Sequence, residues 1–203
     1  GNEAFFTINQ KKASTSGEYL LEIWTSRFMG GYWTKPTKMF FNTSKYSYFH
    51  PCITPEGNRL YYVSDDTQGL GGTDIYYIDR NEDGSWQGTK NAGEEINTEG
   101  NELFPTFSNG NLYFSSNGHP GLGGLDIYKV ASSSKGLDII NLGYPINSEK
   151  DDLSFSFDGK EGLFSSNRYG SDDIFHFNYK KATVFLKGQI LQDGKSVNNA
   201  KAY

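Results

Sequence analysis

Short apolar runs broken by glycine- and asparagine-rich turns fill this chain. Leu60-Tyr61-Tyr62-Val63-Ser64, Leu112-Tyr113-Phe114-Ser115-Ser116 and Leu163-Phe164-Ser165-Ser166 carry the β-branched and aromatic residues that suit a pleated, half-buried surface. Each follows a turn signal: Glu56-Gly57, Asn109-Gly110 and Asp158-Gly159. Glycine supplies the positive φ of a hairpin turn without a Cβ clash. No long window shows the 3.6-residue apolar period of a helix. The pattern predicts strands nearly throughout.

The runs belong to a repeat. Ser64-Asp65-Asp66-Thr67-Gln68-Gly69-Leu70-Gly71-Gly72-Thr73-Asp74-Ile75-Tyr76 matches Ser116-Asn117-Gly118-His119-Pro120-Gly121-Leu122-Gly123-Gly124-Leu125-Asp126-Ile127-Tyr128. Ser166-Asn167-Arg168-Tyr169-Gly170-Ser171-Asp172-Asp173-Ile174-Phe175 is a third copy and Glu22-Ile23-Trp24 a worn fourth. The acidic residues Glu22, Asp74, Asp126 and Asp173 set a period of about 50 residues. First strands are read at Pro51-Cys52-Ile53-Thr54, Pro105-Thr106-Phe107-Ser108 and Leu153-Ser154-Phe155-Ser156, and fourth strands lead into Phe41-Asn42-Thr43, Ile96-Asn97-Thr98 and Ile146-Asn147-Ser148. A period of this length, built of short strands, points to radially repeated sheets.

The fold class expected is all-β. It is a partial β-propeller, about three and a half four-stranded blades over residues 1–181, leading into the start of a β-sandwich. The blades are expected at about 1–43, 44–98, 99–148 and 149–181. The first begins at its second strand and the last stops after its third. Further blades are therefore expected upstream, on this polypeptide or another. Residues 182–203 change character: Ala182 to Ile190 alternates as a strand, Asp193-Gly194-Lys195 turns, and Val197 to Tyr203 opens a second strand.

Charge narrows the partners. The net charge is −5 and the 19 basic residues form no stripe, so nucleic acid is not expected. No run of 18 apolar residues occurs, so no membrane-spanning helix is expected. The single cysteine, Cys52, has no internal disulfide partner and is expected to be a small buried residue.

No cofactor and no metal is expected, and no catalytic residue is assigned. The glycine loops precede strands rather than a helix N-terminus, which argues against phosphate binding. Gly71, Gly72, Gly123 and Gly124 are read as allowing a tight crossing between strands. Asp74, Asp126 and Asp173 are read as acceptors for the N–H groups of that turn. Asp65-Asp66 and Asp172-Asp173 lack the Asp-x-Asp-x-Asp-Gly spacing of a calcium loop. His50, His119 and His176 fall in three different blades, away from metal-ligand spacing. Serines recur in every blade, which is a mark of the fold and not of a nucleophile. The candidate partner surface is Tyr46, Tyr48 and Phe49, aromatic residues in a connection without a repeat equivalent.

Gly-Leu-Gly-Gly-x-Asp-Ile-Tyr followed by an Ile-Asn-Thr loop resembles the TolB-type, WD40-like propeller of OmpA-family outer-membrane lipoproteins of Bacteroidota. Residues 182–203 resemble the opening of a carboxypeptidase-regulatory-like domain. The resemblance implies a periplasmic protein associated with the outer membrane. It implies a non-enzymatic scaffold for protein subunits of an outer-membrane complex, of the kind associated with type IX secretion. Peptidoglycan would be bound through a domain outside these residues. Two alternatives stay open: a propeller that binds carbohydrate or peptidoglycan fragments, and a propeller hydrolase whose active site lies in other blades.

Overall fold

The computed structural model describes residues 2–11, 13, 17–134, 136–180, 191–192 and 195–196. Four antiparallel sheets follow one another along the chain, and no helix occurs among the described residues. Sheet 1 holds β1 (Glu3–Asn9), β2 (Leu21–Met29), β3 (Tyr32–Trp33) and β4 (Thr37–Lys38), with β3 and β4 both paired to β2. Sheet 2 runs β5 (Tyr48–Ile53), β6 (Arg59–Ser64), β7 (Asp74–Asp79) and β8 (Lys90–Asn91). Sheet 3 runs β9 (Glu102–Ser108), β10 (Asn111–Ser116), β11 (Asp126–Ser133) and β12 (Gly136–Asn141). Sheet 4 has three strands, β13 (Asp152–Phe157), β14 (Glu161–Ser166) and β15 (Asp173–Asn178). Beyond it, β16 (Leu191–Gln192) pairs with β17 (Lys195–Ser196). The expected sandwich strands at 182–190 and 197–203 lie outside the described residues.

The first strands β5, β9 and β13 pack side by side, and β1 packs on β5. The sheets are therefore the blades of a β-propeller. The strands of blade 1 and blade 4 do not touch each other.

The core lies between blades. Ile23, Met39 and Phe41 of blade 1 meet Tyr48, Leu60, Tyr62 and Ile78 of blade 2. Tyr61, Val63 and Ile75 meet Leu112, Phe114 and Tyr128 at the next seam, and Tyr113 and Ile127 meet Phe155 and Phe164 at the last. Each such side chain, fully buried, contributes about 2 kcal/mol of transfer free energy. Alternation within a strand supplies both layers: Tyr62 faces one neighbour, Tyr61 and Val63 the other.

Every first strand carries a bulge at one place. His50, Phe104 and Ser154 have φ of 49°, 52° and 51°, and the pairing register shifts around each. An extra residue there bends the strand and raises its twist. The bulge also fixes the alignment of the copies. Glu102 pairs with Ser116 and Asp152 with Ser166, so Phe155, not Leu153, matches Pro105.

Candidate functional site

The two Gly-Leu-Gly-Gly loops are built alike. Asp74 is buried, and the Leu70 and Gly71 N–H groups donate to its carboxylate. Leu122 and Gly123 likewise donate to buried Asp126, both to Oδ2, and its buried Oδ1 has no partner among the described residues. Asn91 and Asn141 add one side-chain bond each, at 3.3 Å. A carboxylate ringed by N–H donors holds a turn closed without help from a helix or a cation.

Asp173 departs from this expectation. It is exposed, and its bond is to the Ser171 hydroxyl at 3.3 Å. Its loop is shorter, and no further sheet packs over it among the described residues. The turn that the other two carboxylates organise is absent.

The glycines act across blades. A Cβ on Gly71 would lie 2.3 Å from the Gly100 carbonyl oxygen, and one on Gly123 would lie 2.3 Å from that of Lys150. Both carbonyls belong to the chain entering the next blade. Gly72 and Gly124 face Asn101 and Asp151 of that blade. The Gly72 N–H donates to Gly100 at 2.7 Å, and Thr73 pairs in parallel with Asn101. None of these four glycines has positive φ. Gly71 and Gly123 are small because the next blade's backbone rests on them, Gly72 and Gly124 because its Asn101 and Asp151 side chains do.

The asparagines of the Ile-Asn-Thr loops are clamps. Asn42 Oδ1 accepts from the Ile23 N–H, Asn97 from Ile75 and Asn147 from Ile127, at 2.9, 2.8 and 2.8 Å. Each amide Nδ2 donates back to the carbonyl of the same isoleucine, at 2.7, 2.9 and 2.9 Å. One side chain thus replaces a strand's pair of hydrogen bonds where the fourth strand ends.

The next residue grips the following blade. Thr98 donates its N–H and hydroxyl to buried Glu102, and Ser148 donates both to buried Asp152. Ser116 also donates to Glu102, while Arg168 pairs with Asp152 at 2.6 Å. At the first seam Tyr48 takes the acid's place, its hydroxyl 3.1 Å from that of Thr43. Consecutive residues, Asn then Thr or Ser, tie one blade's third strand to the next blade's first. The sequence shows the asparagines as markers of the period. It hides the acceptors, because tyrosine, glutamate and aspartate share no spelling.

This geometry corrects the candidate partner surface. Tyr48 is 5% exposed and lies in the core beside Phe41 and Tyr62. Burial pushes its phenol above the ordinary tyrosine range. Tyr46 packs on the same cluster and bonds the Thr67 hydroxyl at 3.0 Å, and Phe49 packs on the blade 2–3 core. These aromatics hold blades together because their side chains turn from an exposed connection into a seam.

His50, Cys52 and His119 are also seam residues. His50 Nδ1 accepts from the Phe104 N–H at 3.2 Å, and its ring stacks on Phe104 at 3.9 Å. Burial lowers its pKa to about 4. Cys52 Sγ accepts from the Phe107 N–H at 3.1 Å, and burial pushes the thiol up. His119 meets the Ile96 carbonyl at 2.9 Å, while exposed His176 pairs with Glu161. Among the described residues, no three His, Cys, Asp or Glu side chains are grouped to hold a metal ion. No helix there is long and apolar enough to cross a membrane.

Large exposed apolar side chains are shared unevenly among the blades, and blade 3 exposes Leu122, Ile140 and Tyr144. Blade 1 and its flanks expose Tyr19, Phe28, Met29, Tyr32, Trp33 and Phe40; blade 4 exposes Leu163, Tyr169, Ile174 and Tyr179. Blade 2 exposes only Leu70 among residues of this kind. Sequence reasoning missed this division, because each of these residues has an ordinary strand or loop context.

Radial sheets, seam cores and repeated inter-blade bonds define the class: a β-propeller. The chain matches no protein-family model and no curated protein. Among solved structures it is similar to a puromycin-hydrolyzing peptidase of Mycobacterium tuberculosis, at 16% identity and a TM-score of 0.50, over 78% of this chain and 23% of that one. It is likewise similar to a protein from a study of two prolyl endopeptidases, at 13% identity and a TM-score of 0.50, over 88% of this chain and 24% of that one. The chain spans about a quarter of the length of these two proteins. At such identities the likeness is one of fold alone.

Proposed function

We propose that this chain is a non-catalytic β-propeller module that holds protein subunits of an outer-membrane complex on the periplasmic side. One observation carries the reading. The recurring polar residues are taken up by bonds within and between blades, while blades 1, 3 and 4 each expose several large apolar side chains and blade 2 only Leu70. Exposed apolar patches of this kind are typical of protein contact surfaces. The cell-envelope setting rests on the resemblance of the Gly-Leu-Gly-Gly-x-Asp-Ile-Tyr repeats to the propeller of OmpA-family lipoproteins, including those associated with type IX secretion. On this reading peptidoglycan is contacted by a domain outside these residues.

The test is isolation of the full-length protein from native outer membranes in mild detergent, followed by mass spectrometry. A stoichiometric membrane complex is expected. Recovery of the protein alone, or with glycan fragments only, would remove the scaffold reading.

A further inference from the structure

The crevices at the two later seams are homologous, and they differ in one instructive way. At the blade 2–3 seam, the paired residues Tyr61 and Tyr77 are covered by Arg59. That guanidinium is tied to Asp79 at 2.6 Å and lies 3.5 Å from the Tyr61 hydroxyl. The cation and the phenol are satisfied within the protein.

At the blade 3–4 seam, Tyr113 pairs with Lys129 in the same register. Asn111 replaces the arginine and turns to its own hairpin, donating to the Asn109 carbonyl at 2.8 Å. A cavity of about 340 Å³ lies there. Its wall is a run of rings: Phe155 is 4.6 Å from Tyr113 and 5.5 Å from Phe177, and Phe157 stacks on Phe177 at 5.7 Å.

Two polar groups line this cavity without partners. Tyr113 is 4% exposed, and its hydroxyl makes no hydrogen bond among the described residues. The buried tyrosines 48, 62 and 128 all have hydroxyl partners. The Tyr113 oxygen is not sealed from its surroundings, and the residue lines the cavity. Burial also raises its pKa, which keeps the phenol a donor. Lys129 has no ion pair or hydrogen bond among the described residues.

We propose that this seam cavity binds a small carboxylate carrying a flat aromatic ring. The ring stacks on Phe155 and Phe177, and the carboxylate takes the Lys129 ammonium and the Tyr113 hydroxyl. Unpartnered donors beside an aromatic wall favour such a ligand over a neutral one, because hydrogen bonds to a charged acceptor are the stronger kind.

The test is calorimetric titration of the 203-residue chain with phenylacetate, benzyl alcohol, acetate and D-glucuronate. Saturable binding of phenylacetate is expected, at least about tenfold tighter than benzyl alcohol or acetate. Lys129→Met should weaken phenylacetate about tenfold and leave benzyl alcohol unchanged, and Tyr113→Phe should weaken phenylacetate about fivefold. Tyr61→Phe, in the homologous crevice, should change nothing. Unchanged thermal midpoints would show that the variants fold; if Tyr113→Phe unfolds, Lys129→Met alone decides. Tighter binding of glucuronate, no saturable binding of phenylacetate, or binding indifferent to Lys129→Met would each overturn the proposal.

Discussion

Blades 3 and 4 close their second strands on the same Ser-Ser-Asn and open their third on the same Asp-Ile, yet these segments fare oppositely. Asp126 and Ile127 are both 0% exposed, whereas Ile174 is 77% exposed. The spelling is shared; the neighbour is not. After blade 3 come β12, the Asn147 clamp and the first strand of blade 4. Over Asp173 and Ile174 no such elements stand among the described residues. A repeat unit of this kind does not finish its own burial. Its third strand is completed by the residues that lead into the next unit.

The largest test of this contrast is the clamp. Asn147→Leu removes the partners of the Ile127 N–H and C=O in a buried site and should cost about 4 kcal/mol in urea unfolding. Asn97→Leu should cost a similar amount, and a loss below about 1 kcal/mol at either site would show that the clamps are ornamental. The glycine seat comes next. Gly123→Ala drives a methyl into the Lys150 carbonyl and should cost about 3 kcal/mol. Gly170→Ala, at φ of 106° but with open space around it, should cost about 1 kcal/mol of backbone strain. Equal losses would mean that the glycines serve φ rather than the seam.

Asp126→Ala should cost about 2 kcal/mol, because three donors lose their acceptor, against less than about 0.5 for Asp173→Ala. Seams should differ in pH response too. His50 has its pKa lowered from 6.5 to about 4, so the unfolded chain binds a proton that the native chain refuses. Stability should therefore fall as pH drops from 6.5 toward 4, by an amount on the order of 1 kcal/mol after allowing for partial exposure. His50→Gln should flatten that slope. The equivalent residues Phe104 and Ser154 carry no titrating side chain, so this histidine's contribution belongs to the blade 2–3 seam. The smallest effect on stability is expected from Ile174→Ser, below about 0.5 kcal/mol. On the scaffold reading the same change should reduce recovery of the membrane complex, measured by co-purification.

The fold was legible in the sequence because its markers are local. Asp-Ile-Tyr, Ile-Asn-Thr and the turn glycines recur at a spacing that few architectures share. What escaped was whatever depends on two blades at once. Gly71 and Gly123 read as turn residues, since the backbone resting on them lies more than twenty residues away. Tyr48 read as a loop aromatic free to meet a partner, because nothing in its spelling aligns it with Glu102 and Asp152. Asp173 read as a third copy of Asp126, although the turn it would organise needs Leu122 and Gly123. The Tyr113 cavity escaped for the same reason. It lies where Asn111 replaces an arginine and phenylalanines face it from the next blade.

The two-residue latch has an evolutionary consequence. Because Asn97-Thr98 and Asn147-Ser148 join consecutive blades with the same atoms, a duplicated unit of about 50 residues brings its own coupling with it. Tandem duplication within the gene would lengthen the array without any compensating change elsewhere. Selection could then vary blade number freely, while a single substitution at a latch would mark where one array stops growing.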